Sequence, residues 1–308
     1  MHYAFIRKVG CVHWFVRTFI RQIRKRVFRC GCLINLPTGI AFPIPISSYS
    51  GSEVFVTNAD VDWGVEALLA RLVTTDTVFL DIGANIGYYS AYLYPLVHFC
   101  HAFEPDRRAL PHLESLATLY PRIRVYNAGV SDRCGTSALL PGMSSETTAL
   151  SDSSWGQGTN AINAIDAIDV CRICSIDSKA GDFSRPVGAI KIDTEGHEKQ
   201  VLNGADLVIR RDRPIIALES NVALWLVQWA DRMGYSMGSP VEDEFHNPIF
   251  LWFQGPSECR TKMIVLVPTE RYKETAAAAA ELYDPLVPYH RSLRRFQLAT
   301  QRRALQQR

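Results

Sequence analysis

The stretch Val78-Phe79-Leu80-Asp81-Ile82-Gly83-Ala84-Asn85-Ile86-Gly87-Tyr88-Tyr89-Ser90 constrains the fold more than any other part of the chain. Val78, Phe79 and Leu80 form the short apolar run of a strand covered on both faces, and a glycine-punctuated loop follows at once. Gly83 and Gly87 permit backbone conformations that a Cβ would block, and Asp81 sits where the strand ends. A strand that runs through such a loop into a helix holds a nucleotide-like cofactor. The spacing is G-x-x-x-G after an acid, not the G-x-G-x-x-G whose first turn approaches a pyrophosphate, so a cofactor without phosphates is expected.

A second apolar run, Val97 to Phe103, ends in Glu104-Pro105. Doubly wound folds place a carboxylate about twenty residues beyond the glycine loop to accept two ribose hydroxyls, and Glu104 matches that reach from Asp81. Pro105 stops the strand. Taken alone, Glu104 reads equally well as a solvated acid at a helix start, favoured by the helix dipole.

Four segments in order, Asp81 to Gly87, Ala102-Phe103-Glu104-Pro105, Asn127 to Asp132 and Lys191 to Glu198, resemble the FkbM-type methyltransferase family over roughly Gly51 to Pro268. The resemblance implies an α/β, Rossmann-like class I methyltransferase sheet of seven strands, mostly parallel with an antiparallel last strand and helices on both faces. It implies S-adenosylmethionine as cofactor and transfer of a methyl group, typically to oxygen. Asp81, Gly83, Asn85, Gly87 and Glu104 are then the cofactor-binding residues, with Asn127 and Val130 at the adenine end. Asn127 has a plainer reading as turn chemistry.

The reactive end falls on Lys191-Ile192-Asp193-Thr194-Glu195-Gly196-His197-Glu198. Strand alternation puts Lys191 and Asp193 on one side, so a lysine and a carboxylate meet at the carboxyl edge of the sheet, where open α/β sheets bind ligands. The sulfonium already activates the methyl group, so the protein has to align an acceptor oxygen and take up its proton. Asp193 is the first candidate to position the acceptor or act as base, Glu195 and His197 are competing bases, and Lys191 neutralises Asp193. The alternatives are helix-dipole pairing for Glu195 and Glu198 and an exposed helix position for His197. Glu219, at the end of the run Ile215 to Leu218, could bind a substrate hydroxyl or cap the next segment. The segment 142–163, rich in Ser, Thr, Gly and Asn, reads as a substrate loop or as a plain surface loop.

The ends carry a separate signal. The formal net charge of the 308 residues is only +2, yet no Asp or Glu precedes Glu53, while Arg7, Lys8, Arg17, Arg21, Arg24, Lys25, Arg26 and Arg29 do. Phe5, Val9, Val12, Val16, Phe19, Ile23 and Val27 recur at helical spacing with the cations on the other side. No apolar run approaches the ~20 residues of a membrane span, and no secretory signal is evident. Such a helix lies on an anionic membrane surface or docks a partner protein, packs its stripe on the catalytic domain, or meets a polyanion. The expected domains are 1–50, a basic amphipathic helix and linker; 51–268, the methyltransferase domain; and 269–308, a helical basic tail. Cys171 and Cys174 lack the second half of a zinc motif, so they read as free thiols at alternate positions of a strand, no metal is expected, and a cytoplasmic location is the simplest reading, with peripheral membrane association through the first helix.

The function read from these residues is methylation of a hydroxyl on a sugar, glycan or small natural product. A nucleic-acid or amide acceptor, an inactive scaffold of the same fold, and an oxidoreductase using NAD are the alternatives, the last weakened by the missing G-x-G-x-x-G.

Overall fold

Val78 to Ile82 are buried without a break, as a strand in the middle of a two-sided sheet must be. Its neighbours in the fold were followed in a computed structural model, which describes residues 9–140, 149–150, 169–244 and 247–306. The chain opens with α1 (Cys11–Ile23), a π-helical turn over Arg24–Phe28, and an antiparallel hairpin, β1 (Cys32–Asn35) and β2 (Ala41–Ile44). Helices α2 (Ser50–Thr57) and α3 (Val65–Leu72) lead to β3 (Val78–Ile82), α4 (Tyr88–Leu93), β4 (Phe99–Phe103), α5 (Leu110–Leu119) and β5 (Ile123–Tyr126). A small second sheet follows, made of β6 (Gly129–Val130), β7 (Gly135–Leu140), β8 (Ala149–Leu150) and β9 (Asp169–Cys174) in the order β6-β9-β7-β8. The main sheet resumes with β10 (Val187–Ile192), α6 (Glu198–Asn203), α7 (Asp206–Asp212), β11 (Ile215–Leu218), α8 (Leu224–Met233) and β12 (Tyr235–Glu242). It finishes with β13 (Pro248–Phe253) and β14 (Ile264–Pro268), and α9 (Tyr272–Leu282) and α10 (Tyr289–Gln306) complete the described chain.

The main sheet has eight strands in the order β13-β12-β14-β11-β10-β3-β4-β5. Strands β5, β4, β3, β10 and β11 are mutually parallel, and β14 runs antiparallel between β11 and β12. The order reverses between β3 and β10, the switch point at which such sheets open a crevice at their carboxyl edge. Alternation along β3 feeds two cores: Phe79 joins the cluster under α3, α4, α9 and α10, while Val78, Leu80 and Ile82 join the cluster under α7 and α8. The segment 269–308, expected as a tail, contributes Leu282 and Phe296 to the first cluster, and Arg303 donates hydrogen bonds to the carbonyls of Ala70 and Arg71.

Two expectations need correction. Seven strands were expected in the sheet, but β12 lies between β13 and β14 and pairs with both, and the sheet has eight among the described residues. The sequence hides β12 because Gly238, Ser239 and Pro240 interrupt its apolar pattern. Cys171 and Cys174, three residues apart, cannot share a face of β9: Cys171 joins a small cluster with Leu139 and Leu150, and Cys174 joins the main core. The substrate-loop reading of 142–163 falls outside the described residues except for Ala149 and Leu150. No helix among the described residues is long and apolar enough to cross a membrane.

Candidate active site

Four acids stand along the carboxyl edge, each where its strand ends, and backbone hydrogen bonds fix them there. Asp81 is within β3. Glu104 follows β4, with its N–H donating to the Tyr126 carbonyl at 3.0 Å; Asp193 follows β10, with its N–H on the Ile82 carbonyl at 3.1 Å; Glu219 follows β11, with its N–H on the Ile192 carbonyl at 3.0 Å. The parallel ladder thus continues one residue past β4, β10 and β11 and, with Asp81 inside β3, carries the carboxylates to one cavity of about 620 Å³, within the range of small-molecule sites.

The glycine loop forms one wall. Gly83 has φ +70°, and the backbone carbonyl of Asp193 occupies the space a Cβ would need. Gly87 has φ +82°, with the Leu113 and Leu116 side chains where its Cβ would point. Asn85, at φ +49°, donates its backbone N–H to Glu104 Oε2 at 2.7 Å, and the Asp106 N–H donates to Glu104 Oε1 at 2.8 Å. Each oxygen of Glu104 keeps further acceptor capacity toward the cavity it lines. Burial pushes the Glu104 carboxyl up to about 7, against the pull of those two N–H groups. Asp81 Oδ2 accepts the N–H and hydroxyl of Ser90 at 2.9 and 2.7 Å; its buried Oδ1 accepts no hydrogen bond among the described residues.

The register pairs Lys191 with Asp81 across β10 and β3, so the two side chains meet. Lys191 Nζ donates to the Gly83 carbonyl at 2.8 Å, lies 3.2 Å from Asp193 Oδ2 and 3.9 Å from Asp81 Oδ1. Burial works against the Asp193 charge, but Lys191 and a hydrogen bond from Glu219 outweigh it and hold the Asp193 carboxyl below its ordinary value. Glu219 moves the other way, because burial and the Asp193 charge keep its proton on. The two form a carboxyl pair that shares one proton at neutral pH. Glu195, half-buried on the same wall at φ +53°, is raised to about 7 by burial and by Asp193 and Glu198.

The structure does not bring His197 and Asn127 to this cavity. His197 is fully buried, its Nε2 hydrogen-bonded to Ser131 Oγ at 3.0 Å, so it is neither exposed nor at the acceptor wall. Asn127 is exposed beyond β5, while the next residues, Ala128, Gly129 and Val130, line the cavity. Glu198 Oε1 accepts from the N–H groups of Thr194 and Gly196 and from the Thr194 hydroxyl, a brace for the loop that carries Asp193 and Glu195.

Several lining residues were missed by the sequence reading. Lys262 lies 3.2 Å from Asp62 Oδ1 and donates to the Val61 carbonyl, while Tyr89 donates its hydroxyl to Asp62 Oδ2 at 2.7 Å. Leu139 and Leu150 reach the far end from the small sheet. No local pattern marks these positions; only the acid-to-lysine contact across the fold does.

The sheet, with β14 reversed between β11 and β12, and the cavity at its switch point define a class I methyltransferase. The Methyltransferase FkbM domain matches residues 81–254, more than half of the chain. The chain belongs to the FkbM methyltransferase family, and its cofactor is S-adenosylmethionine. Among solved structures, the methyltransferase FkbM from Methylobacillus flagellatus is 16% identical with a TM-score of 0.40, over 70% of this chain and 52% of that one. This chain therefore spans about half the length of that relative. An rRNA methylase from Streptococcus thermophilus is 11% identical with a TM-score of 0.38, over 66% and 93% of the two chains. The Pyrococcus abyssi tRNA (uracil-54, C5)-methyltransferase, in complex with S-adenosyl-L-homocysteine, is 10% identical with a TM-score of 0.38, over 77% and 43%. The search of curated proteins finds no match.

The residues present fit the cofactor. Bare glycine backbone lines one wall, the unsatisfied Oδ1 of Asp81 is an acceptor for an ammonium group, and Glu104 offers two oxygens to vicinal hydroxyls. Val130, Leu139 and Leu150 give the apolar end that a purine face needs.

Proposed function

We propose that this chain methylates a hydroxyl group of a sugar, glycan or small natural product. The observation that carries the reading is the charged wall adjoining the glycine loop, where Asp193, Glu195 and Glu219 share the cavity with the Asp62 and Lys262 pair. Carboxylates and an ammonium side by side suit a polyhydroxylated acceptor, because each hydroxyl both donates and accepts.

In this reading Glu104 holds the ribose hydroxyls, Asp81 the amino-acid end, and Val130 with the two leucines the adenine. The bound cofactor supplies a methyl group already activated on a sulfonium. The chain's own work is then alignment and proton removal. Asp193, kept ionised by Lys191 and oriented by the protonated Glu219, accepts a hydrogen bond from a hydroxyl next to the reacting one and so fixes the acceptor's line of approach. Glu195, with a value of about 7, takes the hydroxyl proton as the new carbon–oxygen bond forms. The buried rings of Tyr88 and Tyr89, whose hydroxyls are taken up by Glu66 and Asp62, back the glycine loop and help keep water from the reacting edge.

The test is incubation of the protein with S-adenosylmethionine carrying a heavy methyl group and a cell extract fractionated by chemical class. A labelled, base-stable methyl ether in the carbohydrate or small-molecule fraction supports the reading. Label confined to nucleic acid or to amide nitrogen overturns the acceptor assignment, and cofactor binding without any product favours a scaffold.

A further inference from the structure

Helix α1 packs on the domain with the face that its sequence marks as polar. Arg21 is buried at 2% exposure, its Nε donating to Ser52 Oγ at 3.2 Å and its Nη2 to the Pro45 carbonyl. One turn earlier, Arg17 donates to the Phe55 carbonyl and stacks 4.3 Å above the Phe55 ring; one turn later, Lys25 Nζ reaches Ser52 Oγ at 3.3 Å. These three cations, spaced four apart, turn the basic face inward.

The apolar stripe therefore faces out. Val12, Phe15, Val16, Phe19 and Ile20 are 42 to 73% exposed, and the Phe15 and Phe19 rings stack with centroids 6.4 Å apart. Val27 and Phe28, each 68% exposed, extend the strip past the π-helical turn. A contiguous apolar strip left in water marks an interaction site. The exposed charges on the same segment are cationic: Arg24, Arg26 and Arg29 are exposed, and no acid precedes Glu53 in the sequence. A second copy meeting this face would set like charges against each other, which disfavours that occupant.

The geometry points to an anionic membrane surface as the occupant of this strip, with α1 lying flat, its phenylalanines among the acyl chains and the exposed arginines on the headgroups. The domain then hangs from the opposite face of the helix through Arg17, Arg21 and Lys25. This assignment does not depend on which acceptor is methylated.

Co-sedimentation of the full chain with vesicles tests it. Binding is expected to vesicles of phosphatidylcholine mixed with phosphatidylglycerol and to fall as salt rises, with little binding to phosphatidylcholine alone. The double substitution Phe15→Glu with Phe19→Glu should lower the vesicle affinity by at least about tenfold, since two large apolar side chains leave the acyl region. The melting temperature should stay unchanged, because both rings are exposed in the folded chain. Replacing Arg24, Arg26 and Arg29 by alanine should weaken binding and flatten its salt dependence. Failure to sediment with either vesicle, equal binding to both, or a lipid-free dimer dispersed by the double substitution would each overturn the assignment.

Discussion

Gly83 and Asp193 are in contact through their backbones: the Asp193 carbonyl oxygen fills the space where a Cβ of residue 83 would stand. The glycine of the cofactor loop and the first acid of the reactive loop therefore form one rigid unit, although 110 positions separate them in the chain. Lys191 reinforces it by donating to the Gly83 carbonyl while pairing with Asp193. Cofactor and acceptor sites are held in register by this contact, which is what an in-line transfer requires.

Gly83→Ala should disrupt both sites together. The new methyl group meets backbone that cannot swing aside, and φ +70° strains any L side chain, so a loss of about 2 kcal/mol or more is expected. Thermal unfolding and calorimetric titration with S-adenosylmethionine should both show it. A variant that melts and binds like the parent would mean that the two loops are not locked to each other.

Glu104→Ala should weaken the affinity for the cofactor by about 1 to 3 kcal/mol, through loss of charge-assisted hydrogen bonds to ribose. Unchanged affinity in the titration would put the ribose elsewhere.

The raised values of Glu104 and Glu195 also give the cofactor-free protein a pH signature. Both are lifted from 4.5 to about 7, so the folded chain holds protons that the unfolded chain has released. Their stabilising contribution is full below about 4.5 and is lost as pH rises through about 7. The melting temperature of the parent should fall over this window by more than that of the Glu104→Gln and Glu195→Gln variants. Parallel profiles would show that these carboxyls are not buried as described.

The carboxyl pair makes a sharper distinction. Asp193→Asn should lower turnover by about a hundredfold while leaving cofactor affinity within about threefold. Glu219→Gln keeps a donor toward Asp193 and should retain most activity, whereas Glu219→Ala should not. If Gln and Ala prove equally damaging, Glu219 acts as an ionised group and the shared proton is wrong.

His197→Gln should cost about 1 to 2 kcal/mol in stability through the buried bond to Ser131, with the pH dependence of turnover unchanged. A shifted pH profile would return His197 to the list of bases.

Much of the cofactor half was legible because it is written in backbone chemistry. Gly83, Gly87 and Pro105 dictate local conformation wherever they stand, and the ends of two apolar runs mark Asp81 and Glu104 in the sequence itself. Period-two alternation was enough to bring Lys191 and Asp193 together. Where the reading failed, a distant partner decided the outcome. His197 is buried by Ser131, 66 positions away, and Lys262 reaches Val61 across 201. The periodicity of α1 was plain, but which face meets the domain was set by Ser52, Phe55 and the Pro45 carbonyl, acceptors that no helical wheel contains. Of the two residues expected at the adenine end, Asn127 is exposed, while Val130 lines the cavity together with Ala128 and Gly129.

The most direct measurement is calorimetric titration of the parent protein and of Glu104→Ala with S-adenosylmethionine, and of the parent with NAD. Saturable one-site binding of S-adenosylmethionine to the parent, weakened about fivefold or more in the variant and absent for NAD, is the expected result. Absence of S-adenosylmethionine binding to the folded parent, or binding of NAD in its place, would contradict the assignment of this cavity as a methyl-donor site.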